Sequence, residues 1–216
     1  MTELLVKGVL AYLMGSIIGS LLIARLTGGV DIRTLGSGNA GATNALRIVG
    51  RKVAFWVLLI DLAKGWLATR GLAPWSIPGI APAPPELEAW CVPVCGLAVM
   101  LGHVYPVWFG LRGGKGFATL LGAVLGISPW LLVPMILTWL VTVILSGFVG
   151  LASILSAVAL ATWSALLNYG APLLTFGILS TVLMLFTHRS NIARIRAGSE
   201  PRARRLWLFG TRRGQV

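Results

Sequence analysis

The chain has 216 residues, of which 56% are hydrophobic and only 11% are charged, and its formal net charge is +12. A soluble domain carries about 25% charged residues, so the composition excludes an ordinary soluble fold. The 73 residues from Gly116 to His188 contain no Asp, Glu, Lys or Arg. At roughly 20 residues per membrane-spanning helix, this run alone provides three or four spans. The sequence therefore predicts an all-α fold, a polytopic integral membrane helical bundle.

Apolar stretches separated by turn residues predict seven transmembrane helices. The breaks between the later stretches contain Gly, Ser, Asn and Pro, and the proline-rich stretch Pro74–Pro85 is predicted to be an external loop. We expect a single membrane domain over residues 1–216, with a basic cytoplasmic tail from about residue 189. The predicted spans are Leu4–Ala24, Val53–Arg70, Ala89–Val104, Phe117–Gly126, Trp130–Leu145, Leu151–Leu167 and Leu173–Thr187.

The fourth segment, Phe117–Gly126, decides the predicted topology. Ten residues of helix cover about 15 Å, half of the hydrocarbon core, so the segment alone would suit a re-entrant loop. If it crosses, the basic residues between Arg25 and Lys52 lie on the same side as the arginine-rich tail, as the positive-inside rule requires. We therefore expect a short crossing, with the N-terminus outside and the C-terminus in the cytoplasm. The tail arginines are Arg189, Arg194, Arg196, Arg202, Arg204, Arg205, Arg212 and Arg213.

Three polar segments interrupt the apolar sequence, and this topology puts all three at the cytoplasmic face. The first polar segment, Ser37–Asn44, is rich in small polar residues, whose backbone N–H groups can converge on phosphate oxygens. The second, Gly113–Gly116, adds a lysine to flexible backbone just before a helix; a flexible hairpin is the alternative. The third is His188–Asn191. Together they indicate a site for phosphate-bearing molecules.

Several ionisable side chains are candidates for chemistry at these segments. His103 and His188 are each a candidate general base, since a neutral imidazole can accept a hydroxyl proton near neutral pH, or else a structural hydrogen-bonding residue. His188 is the better candidate, because Asn191 lies on the same helix face and can donate its amide to a carbonyl or phosphate oxygen. Asp61 and Lys64, three residues apart in one span, are either an ion pair that braces the bundle or part of the chemistry.

The other charged residues near the first segment have simpler interpretations. Arg47 can bind phosphate with its two-pronged guanidinium group. We expect Arg51 and Lys52 to contact lipid headgroups, and Asp31 and Arg33 to pair with each other. A basic tail beside membrane spans is expected to contact anionic lipid and not nucleic acid. The two cysteines are expected to be packed thiols, and no metal site or cofactor is expected, because no Cys/His cluster has zinc spacing.

In this order, the three polar segments resemble the bacterial acyl-phosphate–glycerol-3-phosphate acyltransferase family. The resemblance rests on SGNAGATN followed by Arg47, on GGKG after GHVYP, on HRSNI before the basic tail, and on the pattern from Asp61 to Lys64 and Gly65. It covers essentially the whole chain. It departs at Gly15–Gly19, where many members have a proline after Gly-Ser-Ile, and this departure concerns only the local helix bend.

The resemblance implies an enzyme that transfers a fatty acyl group from acyl phosphate to the 1-hydroxyl of sn-glycerol 3-phosphate. The products are lysophosphatidic acid and phosphate, and the step is the first acylation of phospholipid synthesis. It also implies a multi-pass protein of the bacterial inner membrane with its active site at the cytoplasmic face. Its partners are then the two substrates, membrane lipid and the enzyme that produces acyl phosphate.

The polar segments and the resemblance together define the candidate site residues. Those for catalysis are Ser37, Lys115, His188 and Asn191. Those for binding the substrate phosphates are Ser37, Gly38, Asn39, Gly41, Thr43, Asn44, Arg47, Gly113, Gly114, Lys115 and Gly116. The residues expected to support the site from nearby are Asp61, Lys64 and His103.

Two further alternatives follow from the sequence. Ser37 as a covalent nucleophile competes with direct attack by the glycerol hydroxyl, although no base neighbours Ser37 in the sequence. A transporter or flippase for a phosphorylated solute or lipid also suits seven spans with a polar cytoplasmic pocket. Against it, the chain has no internal repeat of the kind that many transporters show, and its polar segments cluster on one side.

Overall fold

The structure is a computed structural model that describes residues 1–210, so Arg212 and Arg213 of the predicted tail lie outside the described residues. Over the described range the chain forms helices, turns and loops and contains no β-strand, which confirms the all-α prediction. It divides into two compact units, Met1–Pro129 and the chain from Trp130 onward. The organisation as a single domain stays a prediction.

The first unit is built from α-helices of very different lengths, joined by short 3-10 and π segments. The 16-residue helix α4 carries both Asp61 and Lys64, and it continues directly into a six-residue π-helix. The α-helices are α1 (Thr2–Gly15), α2 (Gly19–Thr27), α3 (Ala42–Ile48), α4 (Arg51–Trp66), α5 (Pro85–Glu88), α6 (Cys91–Val104) and α7 (Phe117–Ile127). The other segments are the π-helix Leu67–Leu72 and the 3-10 turns Ile32–Thr34 and Val107–Phe109.

The second unit contains α8 (Pro129–Ser146), α9 (Val149–Leu166), α10 (Ala171–Thr187) and α11 (Arg189–Arg196). Hydrogen bonds from hydroxyl groups to backbone carbonyls join its long helices. Ser156 Oγ on α9 donates to the α8 carbonyl of Met135 at 2.9 Å, and Thr181 Oγ1 on α10 donates to the α9 carbonyl of Ala157 at 2.9 Å. Because these hydroxyls bond to backbone, the helices can pack closely without leaving a polar group exposed to lipid.

The chain after α11 packs against the turn between α8 and α9. The backbone N–H of Ala203 donates to the carbonyl of Gly147, and the indole Nε1 of Trp207 donates to the carbonyl of Leu145. The guanidinium carbon of Arg202 lies 4.0 Å from the Trp207 ring centroid and 4.8 Å from that of Phe148. This part of the basic tail is therefore held by aromatic and backbone contacts.

Within residues 1–210, three helices can cross a membrane by length and composition, or up to five if each of two bent pairs forms one span. The three are Pro85–Phe109, Pro129–Ser146 and Val149–Leu166. Their positions agree with the predicted third, fifth and sixth spans. The seven-span count and the sides of the two termini stay predictions.

The first predicted span, Leu4–Ala24, is not one continuous helix. It consists of α1 and α2, which meet at an angle of 50° across a break at Ser16–Ile18. Ile18 has an extended backbone, with φ −93° and ψ 115°, and the break forms without the proline that many family members have here. The predicted seventh span, Leu173–Thr187, lies within α10, and the chain bends by 55° between α10 and α11, just after this span.

The fourth predicted span is the 11-residue helix α7, about 16 Å long and shorter than the hydrocarbon core. It packs closely along α4. A Cβ atom at Gly122 would meet the backbone of Leu62, and one at Gly65 would meet the backbone of Thr119 and Ala123. Helices α1 and α6 also pack closely at glycines, because a Cβ atom at Gly15 or Gly102 would meet the backbone of the other helix.

We predict that Gly122→Ala lowers the free energy of unfolding by about 2 kcal/mol, because the added methyl group pushes the two backbones apart. The matched control is Gly71→Ala, whose Cβ would lie at an ordinary contact distance of 3.9 Å from the Leu67 side chain. Thermal unfolding in detergent measures both. Equal stability of the two variants would contradict the packing that the structure assigns to Gly122.

Candidate functional site

The first polar segment is shaped by the buried side chain of Asn44, at the start of α3. Its Nδ2 donates to the carbonyls of Ile32, at 2.9 Å, and Leu35, at 3.1 Å, while its Oδ1 accepts the backbone N–H of Ser37 at 3.0 Å. Asn44 is 1% exposed. These bonds use both amide hydrogens, so Asn44 holds the backbone of the segment in place.

The other predicted residues of this segment lie at or near the surface of the protein. Ser37, Gly38, Thr43 and Arg47 are exposed, whereas Asn39 and Gly41 are half-buried. A hydrogen bond of 2.6 Å from Ser20 Oγ on α2 to the carbonyl of Ala40 fixes the segment to the first bent pair. The exposed side chains are therefore presented by an anchored backbone, and their phosphate-binding role stays a prediction.

The second polar segment closes the loop between α6 and α7, residues Tyr105–Gly116. The loop turns back onto the end of α6, since Gly113 N donates to the Val104 carbonyl and Gly114 N donates to the His103 carbonyl, each at 3.1 Å. Gly114 lies so close to the imidazole of His103 that a Cβ there would collide with Nε2. The two glycines are thus needed for close packing, and the half-buried Lys115 follows them directly.

Arg33 joins the loop that precedes the first segment to the loop that carries the second. Its Nη1 donates to the carbonyls of Phe109, at 2.9 Å, and Arg112, at 2.7 Å. Its Nε and Nη2 bind Asp31, with a shortest distance of 2.7 Å to Oδ2. The predicted Asp31–Arg33 pair is confirmed, and the guanidinium group also bridges two loops far apart in sequence.

The pKa of the Asp31 carboxyl group lies below its usual value, because the hydrogen bonds from Arg33 stabilise the carboxylate more than partial burial disfavours it. A group with a lowered pKa stabilises the folded loop above its unfolded pKa, near 4, and loses this contribution as the pH falls further. Asp31 is therefore ionised at neutral pH, and its bonds orient the guanidinium group toward the α6–α7 loop.

The end of α1 provides two more contacts to the α6–α7 loop. Tyr12 Oη donates to the carbonyl of Tyr105 at 2.6 Å, and Ser16 Oγ accepts the backbone N–H of Val107 at 3.3 Å. Ser16 lies at the break between α1 and α2. The break is thus part of the structure that positions the loop.

The residues predicted to support the site come together as a buried cluster. Lys64 Nζ lies 2.9 Å from Asp61 Oδ1, which confirms the predicted pair, and 2.8 Å from His103 Nδ1 on α6. Among the described residues, no three His, Cys, Asp or Glu side chains are grouped as a metal site requires. That the protein needs no cofactor stays a prediction.

The third polar segment lies in the second unit, where it links α10 to α11. His188 Nδ1 lies 2.9 Å from the carbonyl of Met184, so a neutral ring that donates from Nδ1 carries its lone pair on Nε2. Asn191 is buried and its Nδ2 donates to Glu200 Oε1 at 2.6 Å. The other oxygen, Oε2, accepts from Arg194 Nε at 2.6 Å.

The sequence interpretation missed Glu200 and the bridging role of Arg33. Glu200 had a usable signal, because it is the only acidic residue after Glu88 and it lies among the tail arginines. A lone carboxylate in such surroundings is expected to have a structural partner. The Arg33 bridge had no such signal, since its acceptors are backbone carbonyls at positions that side-chain identity does not mark.

Taken together, the apolar helices and the anchored polar loops define an integral membrane protein of the helical-bundle class. The sequence profile of the glycerol-3-phosphate acyltransferase family matches residues 5–198. The chain belongs to this family. The match includes all three polar segments.

Individual relatives agree over nearly the whole chain. The glycerol-3-phosphate acyltransferase of Bordetella pertussis is 40% identical over 203 residues, covering 90% of this chain and 89% of the relative. That of Desulforamulus reducens is 43% identical over 192 residues, covering 88% and 90%. The crystal structure of PlsY (YgiH), an integral membrane glycerol 3-phosphate acyltransferase, in its glycerol 3-phosphate form matches with a TM-score of 0.81 and 36% identity, covering 92% of this chain and 94% of that one. The lysophosphatidic acid form of PlsY matches with a TM-score of 0.78 and 35% identity.

We predict that Arg33→Lys lowers glycerol-3-phosphate acyltransferase activity by about tenfold, because lysine lacks the planar group that binds Asp31 and two carbonyls at once. Steady-state kinetics of the purified variant measures the loss. Arg51→Lys, at an exposed arginine that begins α4, is the matched control and should keep wild-type activity. Equal activity of both variants would show that the bridge is dispensable.

We predict that Glu200→Ala lowers the free energy of unfolding by about 1–3 kcal/mol, because Asn191 and Arg194 lose an acceptor within the folded unit. Glu200→Gln should lose less, because its amide oxygen still accepts from Asn191. Thermal unfolding separates the two, with Glu86→Ala at an exposed glutamate as control. A Gln variant as unstable as the Ala variant would mean that the bond to Asn191 contributes nothing.

Proposed function

We propose that the protein transfers a fatty acyl group from acyl phosphate to the 1-hydroxyl of sn-glycerol 3-phosphate, which yields lysophosphatidic acid and inorganic phosphate. The observation that carries this proposal is the Arg33 bridge, which makes the loops bearing Ser37 and Lys115 one anchored polar structure. Such a structure, rich in Gly N–H groups and cations, suits two substrates that both carry phosphate. The family fold and its relatives' activity on glycerol 3-phosphate support the same substrate.

We propose that the reaction proceeds by direct attack, without an acyl-enzyme. The glycerol oxygen forms the new ester bond to the acyl carbonyl carbon, and the bond from that carbon to the phosphate oxygen breaks. The hydroxyl proton passes to a phosphate oxygen of the substrate, and inorganic phosphate leaves. Because acyl phosphate is already activated, the protein's contribution is to position the substrates and to neutralise their charge.

The proposed roles follow the chemistry of the side chains. Ser37, Arg47 and Lys115 hold phosphate groups, as hydroxyl, guanidinium and ammonium donors. His188 and Asn191 orient the attacking hydroxyl or the carbonyl oxygen. The Nδ1 contact of His188 to the Met184 carbonyl supports this role, because it fixes the orientation of the ring.

We place the reaction at the cytoplasmic face of a bacterial inner membrane, as the first acylation of phospholipid synthesis. The charge pattern supports this side, since the polar segments and most basic residues share it in the predicted topology. Acyl phosphate made by a soluble or peripheral enzyme would then reach the site from the cytoplasm. We therefore propose that this protein contacts the enzyme that produces acyl phosphate.

The experiment is a phosphate-release assay on purified protein with palmitoyl phosphate and glycerol 3-phosphate, and with palmitoyl-CoA as the parallel donor. We expect phosphate release that requires both substrates, is matched by lysophosphatidic acid, and does not occur with the CoA donor. Lys115→Ala should lower turnover by tenfold or more, while Lys52→Ala, at an exposed lysine in α4, should not. No product with either donor, in protein shown to be folded, would overturn the proposal and favour solute transport.

The same assay separates direct attack from a covalent route through Ser37. With direct attack, Ser37→Ala retains measurable turnover, and mass spectrometry of the wild-type protein with donor alone finds no acylated serine. A trapped acyl group on Ser37 would establish the covalent route instead.

A further inference from the structure

Three buried ionisable side chains lie together in the first unit, away from the exposed residues of the polar segments. Asp61 and Lys64 come from α4, and His103 comes from the end of α6. They are 1%, 4% and 2% exposed, respectively. Ionisable groups inside a membrane protein are costly and generally serve a function, so this cluster requires an explanation.

The ammonium group of Lys64 lies within hydrogen-bond distance of two backbone carbonyls and of the side chains of Asp61 and His103. It donates to the carbonyls of Gly15, at 3.0 Å, and Ile17, at 2.8 Å, and lies 2.8 Å from Nδ1 of His103, an atom that is also 3.3 Å from Asp61 Oδ1. An ammonium has three N–H groups and no more. Two of these groups bind the carbonyls, and the third lies between Asp61 Oδ1, which is 2.9 Å from Nζ, and the imidazole of His103. Asp61 acts on Lys64 through its charge.

The two carbonyls belong to the break between α1 and α2. In an uninterrupted helix they would accept from the amides four residues further on, at Gly19 and Leu21. Inside a membrane such carbonyls need another donor, since no water is available to supply one. Lys64 supplies it, so the 50° bend of the first span is stabilised from α4.

Residues on both sides of this break hold the polar loops. Before α2, Ser16 accepts the backbone N–H of Val107 in the α6–α7 loop. After the break, Ser20 donates to the carbonyl of Ala40 in the first polar segment. The angle between α1 and α2 therefore sets where both loops are anchored.

The contact of Lys64 with His103 leads to the second polar segment. His103 lies against Gly114, so that no Cβ fits between them, and its carbonyl accepts the Gly114 N–H. Nδ1 of the ring lies beside Lys64, and Nε2, on the other side of the ring, faces Gly114. The imidazole thus transmits the position of Lys64 to the glycines that precede Lys115.

We propose that Lys64 is a positioning residue that acts through the helix break and through His103, and so fixes the α6–α7 loop and the first polar segment relative to each other. Asp61 compensates its charge. This inference rests on the proposed acyl transfer for its kinetic consequence, whereas its structural consequence is independent of any activity. This role differs from that of an ion pair that only braces the helix bundle. Such a pair requires charge compensation, but it requires no directed bonds to the helix break or to His103.

The test compares Lys64→Gln with the double variant Asp61→Asn/Lys64→Gln. Both lack the ammonium group, but the double variant no longer buries an uncompensated carboxylate, so it should regain most of the thermal stability that the single variant loses. In both, glutamine has two donors on a shorter chain and cannot reach the two carbonyls and His103 together. We expect kcat/KM for glycerol 3-phosphate to stay at least tenfold below wild type in both.

Hydrogen–deuterium exchange of residues 105–117 gives a readout that needs no turnover. We expect faster exchange of this peptide in the double variant, together with a melting temperature close to wild type. Lys52→Gln, at an exposed lysine on the same helix, should leave exchange, stability and kinetics unchanged. If the double variant regains wild-type exchange and kcat/KM along with its stability, the cluster is only a brace and the proposal is overturned.

His103→Asn keeps the test informative if the Lys64 variants do not fold. Its side-chain oxygen can still accept from Lys64, but the shorter side chain no longer reaches Gly114. We expect faster exchange over residues 105–117 with near-wild-type thermal stability; unchanged exchange would overturn the proposal. If the wild-type protein shows no acyltransferase activity in the phosphate-release assay, the proposed function is refuted. The exchange result is then judged separately, because it does not depend on activity.

Discussion

Backbone groups inside a membrane must find their hydrogen-bond partners within the protein, and the first unit is organised around one place where this is difficult. The helix break at Ser16–Ile18 frees carbonyls that lipid cannot satisfy. Lys64 supplies donors from a neighbouring helix, which requires α4 to lie within reach of the break. Close approach of α1 to α6, at Gly15 and Gly102, brings His103 to the same place. Helix packing and loop position are therefore consequences of one local requirement.

The few acidic residues show how the chain uses charge. It has six Asp and Glu residues against eighteen Lys and Arg residues, so an acid is an uncommon choice at any position. Four of the six form ion pairs in the described structure, and each pair lies where segments meet. Asp31 orients the arginine that bridges two loops, and Glu200 joins α11 to the chain after it. Glu3 pairs with Lys7 at 3.1 Å and also accepts the N–H of Ala83 from the proline-rich loop. Three of these acids thus help to hold irregular segments in place.

Much of the architecture could be predicted from the sequence, because hydrophobic length and turn residues are local signals. The all-α class, the positions of α8, α9 and α10, and the Asp61–Lys64 pair all follow from spacing along one segment. The break in the first span could not be predicted, because what stabilises it is a lysine 47 residues further along the chain. The backbone contacts of Asn44 could not be predicted for a related reason, because its partners lie outside its own helix, and its phosphate-binding role stays a prediction. Its polarity suggested a ligand contact, whereas its two amide hydrogens are bonded to backbone carbonyls.

The bridge made by Arg33 ends on the carbonyl oxygens of Phe109 and Arg112, which every amino acid possesses. The geometry of the bridge therefore does not depend on which side chains the loop carries. The side chain of Trp108, which is more than half exposed, can therefore be exchanged among residues that suit the membrane surface. A substitution at this position should consequently leave the glycines that follow the bridge in place.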